Sequence, residues 1–395
     1  MGLSFILHGL AEEGKGYLAV RNEFCNNSGT LDEDTIAAMS LKGTMFGHGN
    51  SDDTLVVNDS ETKFEFKTLD SGDKFLDLLS AHFLICNDKI KGNGEDSGLE
   101  FYTCEAGVIG AFDGCGGLGA KICPTVSDKT EAYLASRSVG AAAKQWFSSC
   151  ATTDYKWDLE ALKGQIVSNL ELCQNQAGNS TLKLRGSMVR PFPSTIAIVT
   201  FKIIGGKLLT RHIWAGDSRT YVLDRNGLGQ ISIDDIHGED AMSNLTRDGA
   251  LTNVISVDGQ FELHSAEFIP KHPCIILCAT DGSFGYVSSP MGFEMMLLAA
   301  LERAENVAQW QLLLNDEISS RSGDDQTIAV AAFGFDNFSE LKSYYADRYR
   351  SISKMVEKFE SGDPDRKHRL WEVYKPNYYR YLAKESNNNG SNTNQ

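Results

Sequence analysis

The chain has 395 residues, a formal net charge of −16, and 42% hydrophobic and 10% aromatic residues. That length suits one large domain with additions, or two domains, and the apolar fraction is enough for a packed core. The negative balance repels phosphate backbones and anionic lipid, and no run of about eighteen apolar residues occurs, so nucleic acid and membranes are excluded as partners.

Residues 1–80 read as an N-terminal extension, with strand-like pieces ("LVVND", "KFEFKTL") among glycines and acids. The opening "MGLSFILHGLAEEGKG" lacks a basic start, and Ile6 stands where a myristoylation motif needs Ser or Thr, so neither leader nor lipid anchor is expected. "GVIGAFDGCGGLGAK" puts Val108, Ile109, Ala111 and Phe112 in a buried strand that stops at Asp113. Gly114, Cys115, Gly116, Gly117 and Gly119 then form a loop whose backbone can approach a ligand closely. A helix follows, with Asp128 as N-cap and Glu131 closing a capping box, and Leu134, Val139, Ala142 and Trp146 at helical spacing. Trp157, Leu162, Ile166, Leu170 and Cys173 mark the next helix.

From Ser194 the period changes. "STIAIVTFKII", "KLLTRHIWAG", "RTYVLD" and "LGQISI" are strand-like, with turns at 205–206 and 224–227. "CIILCATDG" is another buried strand, 291–302 and 306–319 read as helices, and "DDQTIAVAAFGF" is a last strand. Residues 336–395 read as a helical C-terminal extension, relatively basic and tyrosine-rich, ending in a polar disordered tail. Strands and helices are segregated, which predicts sheets covered by helices rather than an alternating parallel βαβ chain. The nine cysteines are odd in number and form no CxxC pair, so a reduced, cytoplasmic protein with buried thiols is expected.

Asp113, Asp217, Asp281, Asp324, Asp325, Glu95 and Asp96 share one setting, the end of a strand or a Gly-rich turn. Singly, each is an ordinary turn residue. As a set without nearby histidines they form a hard oxygen-donor site, suited to Mg²⁺ or Mn²⁺ rather than zinc. The order "NGED", "GAFDGCGG", "AGDSRTYVLDRNG", "LCATDG" and "SGDDQTIAV", over about residues 81–335, resembles the metal-dependent serine/threonine protein phosphatases of the PPM (type 2C) family.

The resemblance implies an α+β fold, a four-layer αββα sandwich of two antiparallel sheets flanked by helices. It implies two Mg or Mn ions and a phosphorylated protein substrate, either the target of a Ser/Thr kinase or the kinase itself. On the matching positions, Asp113 bridges both ions and Gly114 offers its carbonyl oxygen. Asp281 and Asp324 hold the first ion, and Asp96 and, less directly, Glu95 hold the other through water. Asp217 takes the place of the aspartate that holds a third ion in some members, and Lys91 that of the phosphate-binding arginine. Two departures stand out. Cys115 replaces the histidine that serves as general acid, and Gly285 replaces an aspartate, which argues against a third ion. The expected activity is hydrolysis of phosphoserine and phosphothreonine by a metal-activated water. The alternative is a catalytically weak relative acting as a phosphoprotein-binding or regulatory scaffold.

Overall fold

The structure, a computed structural model of the chain, describes residues 75–178, 190–238, 240–245 and 249–382. Most of the N-terminal extension and the final polar stretch, for which strand-like pieces and a disordered tail were expected, lie outside the described residues.

Among the described residues ten strands form two five-stranded antiparallel sheets. In chain order they are β1 Leu79–Asn87, β2 Ser97–Tyr102, β3 Ala106–Phe112, β4 Ile196–Ile204, β5 Lys207–Ala215, β6 Arg219–Asp224, β7 Gly227–Gln230, β8 His264–Phe268, β9 Cys274–Ala279 and β10 Gln326–Phe333. One sheet runs β1-β10-β9-β6-β7 and the other β8-β5-β4-β3-β2. The β-branched runs read from the sequence form these strands, and the 205–206 and 224–227 turns join β4 to β5 and β6 to β7 as hairpins.

Strand alternation explains the layering. Along β4, Ala197, Val199 and Phe201 face the interior shared by the sheets, while Ile196 and Ile198 face helices. Along β10, Ala329, Ala331 and Phe333 face that interior, and Ile328, Val330 and Ala332 face the opposite helical layer. Because both faces are covered, the strands are apolar throughout rather than alternating with polar residues. Helices α1 Glu131–Cys150 and α2 Leu159–Gln176 cover the second sheet. Helices α3 Pro290–Arg303, α4 Val307–Ser319, α5 Phe338–Glu360 and α6 Pro364–Tyr378 cover the first. The result is the expected αββα sandwich. Leu341, Tyr345, Ile352, Leu370, Trp371 and Tyr374 of α5 and α6 are buried in the same core as the sheet residues Ile275 and Val330.

The helix α1 cap departs from expectation. Its N-cap is Thr130, whose hydroxyl accepts from Tyr133 N, and Asp128 instead sits at a left-handed φ of 54°. Lys129 and Thr130 pair in a short antiparallel ladder with Ile122 and Cys123, so the chain is extended where the capping box was expected. Among the described residues seven cysteines are free, five of them buried as expected.

Candidate active site

One open cleft of about 630 Å³ gathers Glu95, Asp96, Asp113, Gly114, Cys115, Asp281, Asp324 and Asp325 from four separate stretches of the chain. They meet because β3 and β9 end and β10 begins at the same edge of the sandwich, where the loop between β1 and β2 also lies.

Asp113 is held at its backbone. Its N–H donates to Thr195 Oγ1 (3.1 Å), and its carbonyl oxygen accepts from Thr195 N (2.8 Å) and Ser194 Oγ (2.9 Å). Thr195 Oγ1 also meets Ser218 Oγ at 2.6 Å, which ties the "GDSR" turn to the end of β3. The carboxyl of Asp113 lines the cleft, where it shares a hydrogen bond with that of Asp96. Asp96 is buried, and its Oδ2 accepts from Thr280 Oγ1 at 2.6 Å, next to Asp281. Glu95 Oε1 accepts from Thr130 Oγ1 (2.5 Å) and its carbonyl oxygen from Ser136 Oγ (2.5 Å), so the head of α1 fixes the Glu95–Asp96 pair. A Cβ on Gly116 would displace the Glu95 carboxylate, and Gly282 must be glycine because a Cβ there would collide with the Asp325 carbonyl oxygen. The Gly-rich loop and the "TDG" turn are therefore packed directly against the acidic loops.

The acids are not equivalent. Asp325 spends both carboxylate oxygens on backbone amides, accepting from Lys89 N and Glu95 N at 2.7 Å each. It shapes the 89–95 loop. Asp324 is exposed, with Oδ1 accepting from Asp325 N at 2.9 Å. Removal from water, reinforced by Asp281, Asp96, Asp217 and Asp324, pushes the Asp113 carboxyl well above the usual range. The same desolvation, with Asp281 and Asp325, raises Asp96. Desolvation together with Asp281 and Asp234 lifts Asp217 to about 7. Asp217 thus feels the field of the acidic group, although it does not line the cleft. Burial first, then Asp113, Asp217 and Asp281, raise the Cys115 thiol, so with no cation present the thiol keeps its proton.

Such crowding of carboxyls is unfavourable unless protons or cations offset it. The donors are all hard oxygens apart from Cys115, which fits Mg²⁺ or Mn²⁺. Among the described residues no three of these side chains already converge as a metal cage.

Lys91 is exposed on the 88–95 loop and does not line the cleft. Arg190 does, and it is the one cation lining it among the described residues. Its Nη1 is held by Asp258 Oδ2 at 2.8 Å, leaving other N–H groups for an anion. Nothing in "SMVRPFPS" marks this arginine, because its place follows from the pairing of Gly114 with Ser194 and of Ser194 with Ile255.

No helix among the described residues is long and apolar enough to cross a membrane. No protein-family profile and no curated protein matches the chain. Solved structures do. The serine/threonine phosphatase Stp1 from Staphylococcus aureus has 17% identity and a TM-score of 0.46, covering 64% of this chain and 95% of that one. The Mycobacterium tuberculosis serine/threonine phosphatase PstP/Ppp has 18% identity and a TM-score of 0.42, covering 65% and 99%. The catalytic domain of PstP in complex with two manganese ions has 19% identity and a TM-score of 0.42, also covering 65% and 99%. At these identities and TM-scores the likeness says nothing of activity. These structure neighbours are serine/threonine phosphatases of the PPM family, the family whose motif order this sequence resembles.

Proposed function

We propose that the cleft hydrolyses phosphoserine and phosphothreonine in proteins with the help of two Mg²⁺ or Mn²⁺ ions. The observation that carries this reading is the gathering of Asp96, Asp113 and Asp281, all drawn from the phosphatase-like motifs, at one edge of the sandwich. Asp113 would serve both ions, and the Gly114 carbonyl would serve one of them. Asp281 and Asp324 would complete one site, and Asp96 and Glu95 the other through water. When bound, the ions acidify a water and offset charge on the phosphoryl oxygens. The chain's own part is to hold the acids at strand ends, keep the cleft open to a bulky substrate, and bind the phosphate. Asp325 works by positioning, since its oxygens fix the loop that carries Glu95.

The direct test is release of phosphate from phosphothreonine peptides by purified protein. Hydrolysis should need Mn²⁺ or Mg²⁺ and be abolished by EDTA. Hydrolysis that persists in EDTA would sink the two-ion reading. The second reading, a weak phosphoprotein-binding scaffold, is favoured by Cys115, a neutral thiol where the resemblance calls for a histidine. It requires tight peptide binding without turnover in the same experiment.

Phosphate binding falls to Arg190 rather than Lys91. Arg190→Ala should raise KM roughly tenfold, the worth of a charge-assisted hydrogen bond, with a smaller change in kcat. Lys91→Ala should leave both within about twofold. The reverse pattern would restore the phosphate to Lys91.

A metal-linked pH effect also follows. The folded-state pKa of Asp217 is raised from 3.8 to about 7, so in metal-free protein the folded state keeps a proton that the unfolded state loses. Stability should therefore fall as pH rises across that window. Mn²⁺ removes the repulsion, so its gain in melting temperature should be larger at pH 7.5 than at pH 5. With the ion at about a hundredfold its Kd the gain should be roughly 5–10 °C. Differential scanning fluorimetry decides it, and an equal gain at both pH values would contradict it.

A further inference from the structure

The cleft lining mixes acids with apolar residues. Its acids include Asp324, Asp325 and Glu95, the last packed against Gly116 of the Gly-rich loop. The backbone pairing of Gly114 with Ser194 and of Ser194 with Ile255 sets the Gly-rich loop and the 249–257 segment on either flank of residues 190–194. That flank contributes Leu118, Ala250, Leu251 and Val254. Leu118 is 47% exposed although it lies a few residues from Asp113. The segment carrying Leu251 is rigidly placed, because Leu251 bridges Ile236 and Thr252 N donates to Asp235 O at 2.8 Å. A single exposed leucine is ordinary, but this one shares the rim of a charged cleft with further apolar residues. An acidic substrate side chain placed here would meet no described cation except Arg190, whose remaining N–H groups the proposed function gives to the phosphate, and it would face Glu95, Asp324 and Asp325. It would lose water without a partner, whereas an apolar side chain would gain by leaving water.

We propose that this wall seats an apolar side chain next to the phosphorylated residue, so that the substrates are phosphoproteins with leucine-like rather than acidic residues flanking the phosphosite. The proposal rests on the phosphatase reading and adds the substrate class to it. Burying much of a leucine side chain corresponds to about a tenfold gain in binding.

The test uses three fluorescein-labelled phosphothreonine peptides of one length, with Leu, Ala or Asp flanking the phosphothreonine. It measures kcat/KM in Mn²⁺ alongside an aryl phosphate, and affinity by fluorescence anisotropy. The leucine peptide should exceed the aspartate peptide about tenfold or more, with alanine between. Leu118→Asp, a change at an exposed position, should pull that ratio towards one. Equal kcat/KM for all three peptides, with the aryl phosphate hydrolysed, overturns the proposal and leaves the phosphatase reading standing. If neither peptides nor aryl phosphate are hydrolysed, the phosphatase reading falls. Anisotropy then decides alone: equal affinities overturn the leucine preference, and a tenfold preference supports it.

Discussion

Asp113→Asn is expected to lower kcat by about a thousandfold or more while leaving the fold intact, and to abolish the gain in melting temperature produced by Mn²⁺. The magnitude follows from the several kcal/mol that a properly placed divalent ion contributes to a phosphoryl-transfer transition state, at about 1.4 kcal/mol per tenfold in rate. The fold should survive because Asp113 is anchored by its backbone to Thr195 and Ser194, and asparagine keeps those bonds. The metal-free variant should melt at the same temperature as the parent or higher. The carboxyl it loses is one that desolvation, Asp281, Asp96, Asp217 and Asp324 hold above its usual range, so a neutral amide relieves repulsion. Activity and metal-free stability are therefore expected to move in opposite directions, a signature that unfolding cannot mimic. Parent-like turnover in the variant would remove Asp113 from the bridging role.

Much of this site was legible because the chemistry sits in local patterns. An apolar run that stops at Asp-Gly places an acid at a strand end whatever the rest of the chain does, and both Asp113 and Asp281 were found that way. The strands were legible for the same reason, since β4, β5, β6, β9 and β10 are rich in β-branched residues and are bounded by turns. What escaped depends on pairings between distant segments. Arg190 reaches the cleft only because Ser194 bridges both Gly114 and Ile255. The carboxylate of Asp325 is consumed by amides more than two hundred residues earlier in the chain, so its positioning part is invisible in "SGDDQTIAV". The start of α1 was misplaced because a two-residue ladder with Ile122 and Cys123 outweighs the local capping signal of Asp128. Pro376 lies inside α6, which continues to Tyr378, although its position near the end limits the loss.

The C-terminal helices show the same limit most clearly, and they carry the largest expected effect on stability. Arg348→Met should cost about 3–5 kcal/mol, read as a lowered midpoint in urea with an unchanged slope. Glu294 of α3 is fully buried, and four donors from three other elements converge on it. Arg348 of α5 gives Nε to Oε1 at 2.5 Å and Nη2 to Oε2 at 3.0 Å, Tyr374 of α6 gives its hydroxyl at 2.6 Å, and Leu228 of β7 gives its N–H at 3.0 Å. The guanidinium lies over Gly227, where the 224–227 turn needs φ of +107° and where a Cβ would collide with it. One carboxylate thus fastens α5 and α6 to the outer face of the sheet that carries Asp281 at the end of β9. Removing the guanidinium strands a buried charge, which costs more than the pair itself contributes. Arg348→Met combined with Glu294→Gln should therefore recover at least half of the loss, because the amide oxygen can still accept from Tyr374 and Leu228 while the stranded charge is gone. A single variant that loses less than about 1 kcal/mol, the range of an exposed pair, would show that the network is not desolvated. A double variant no better than the single would show that the cost lies in packing over Gly227 and not in charge.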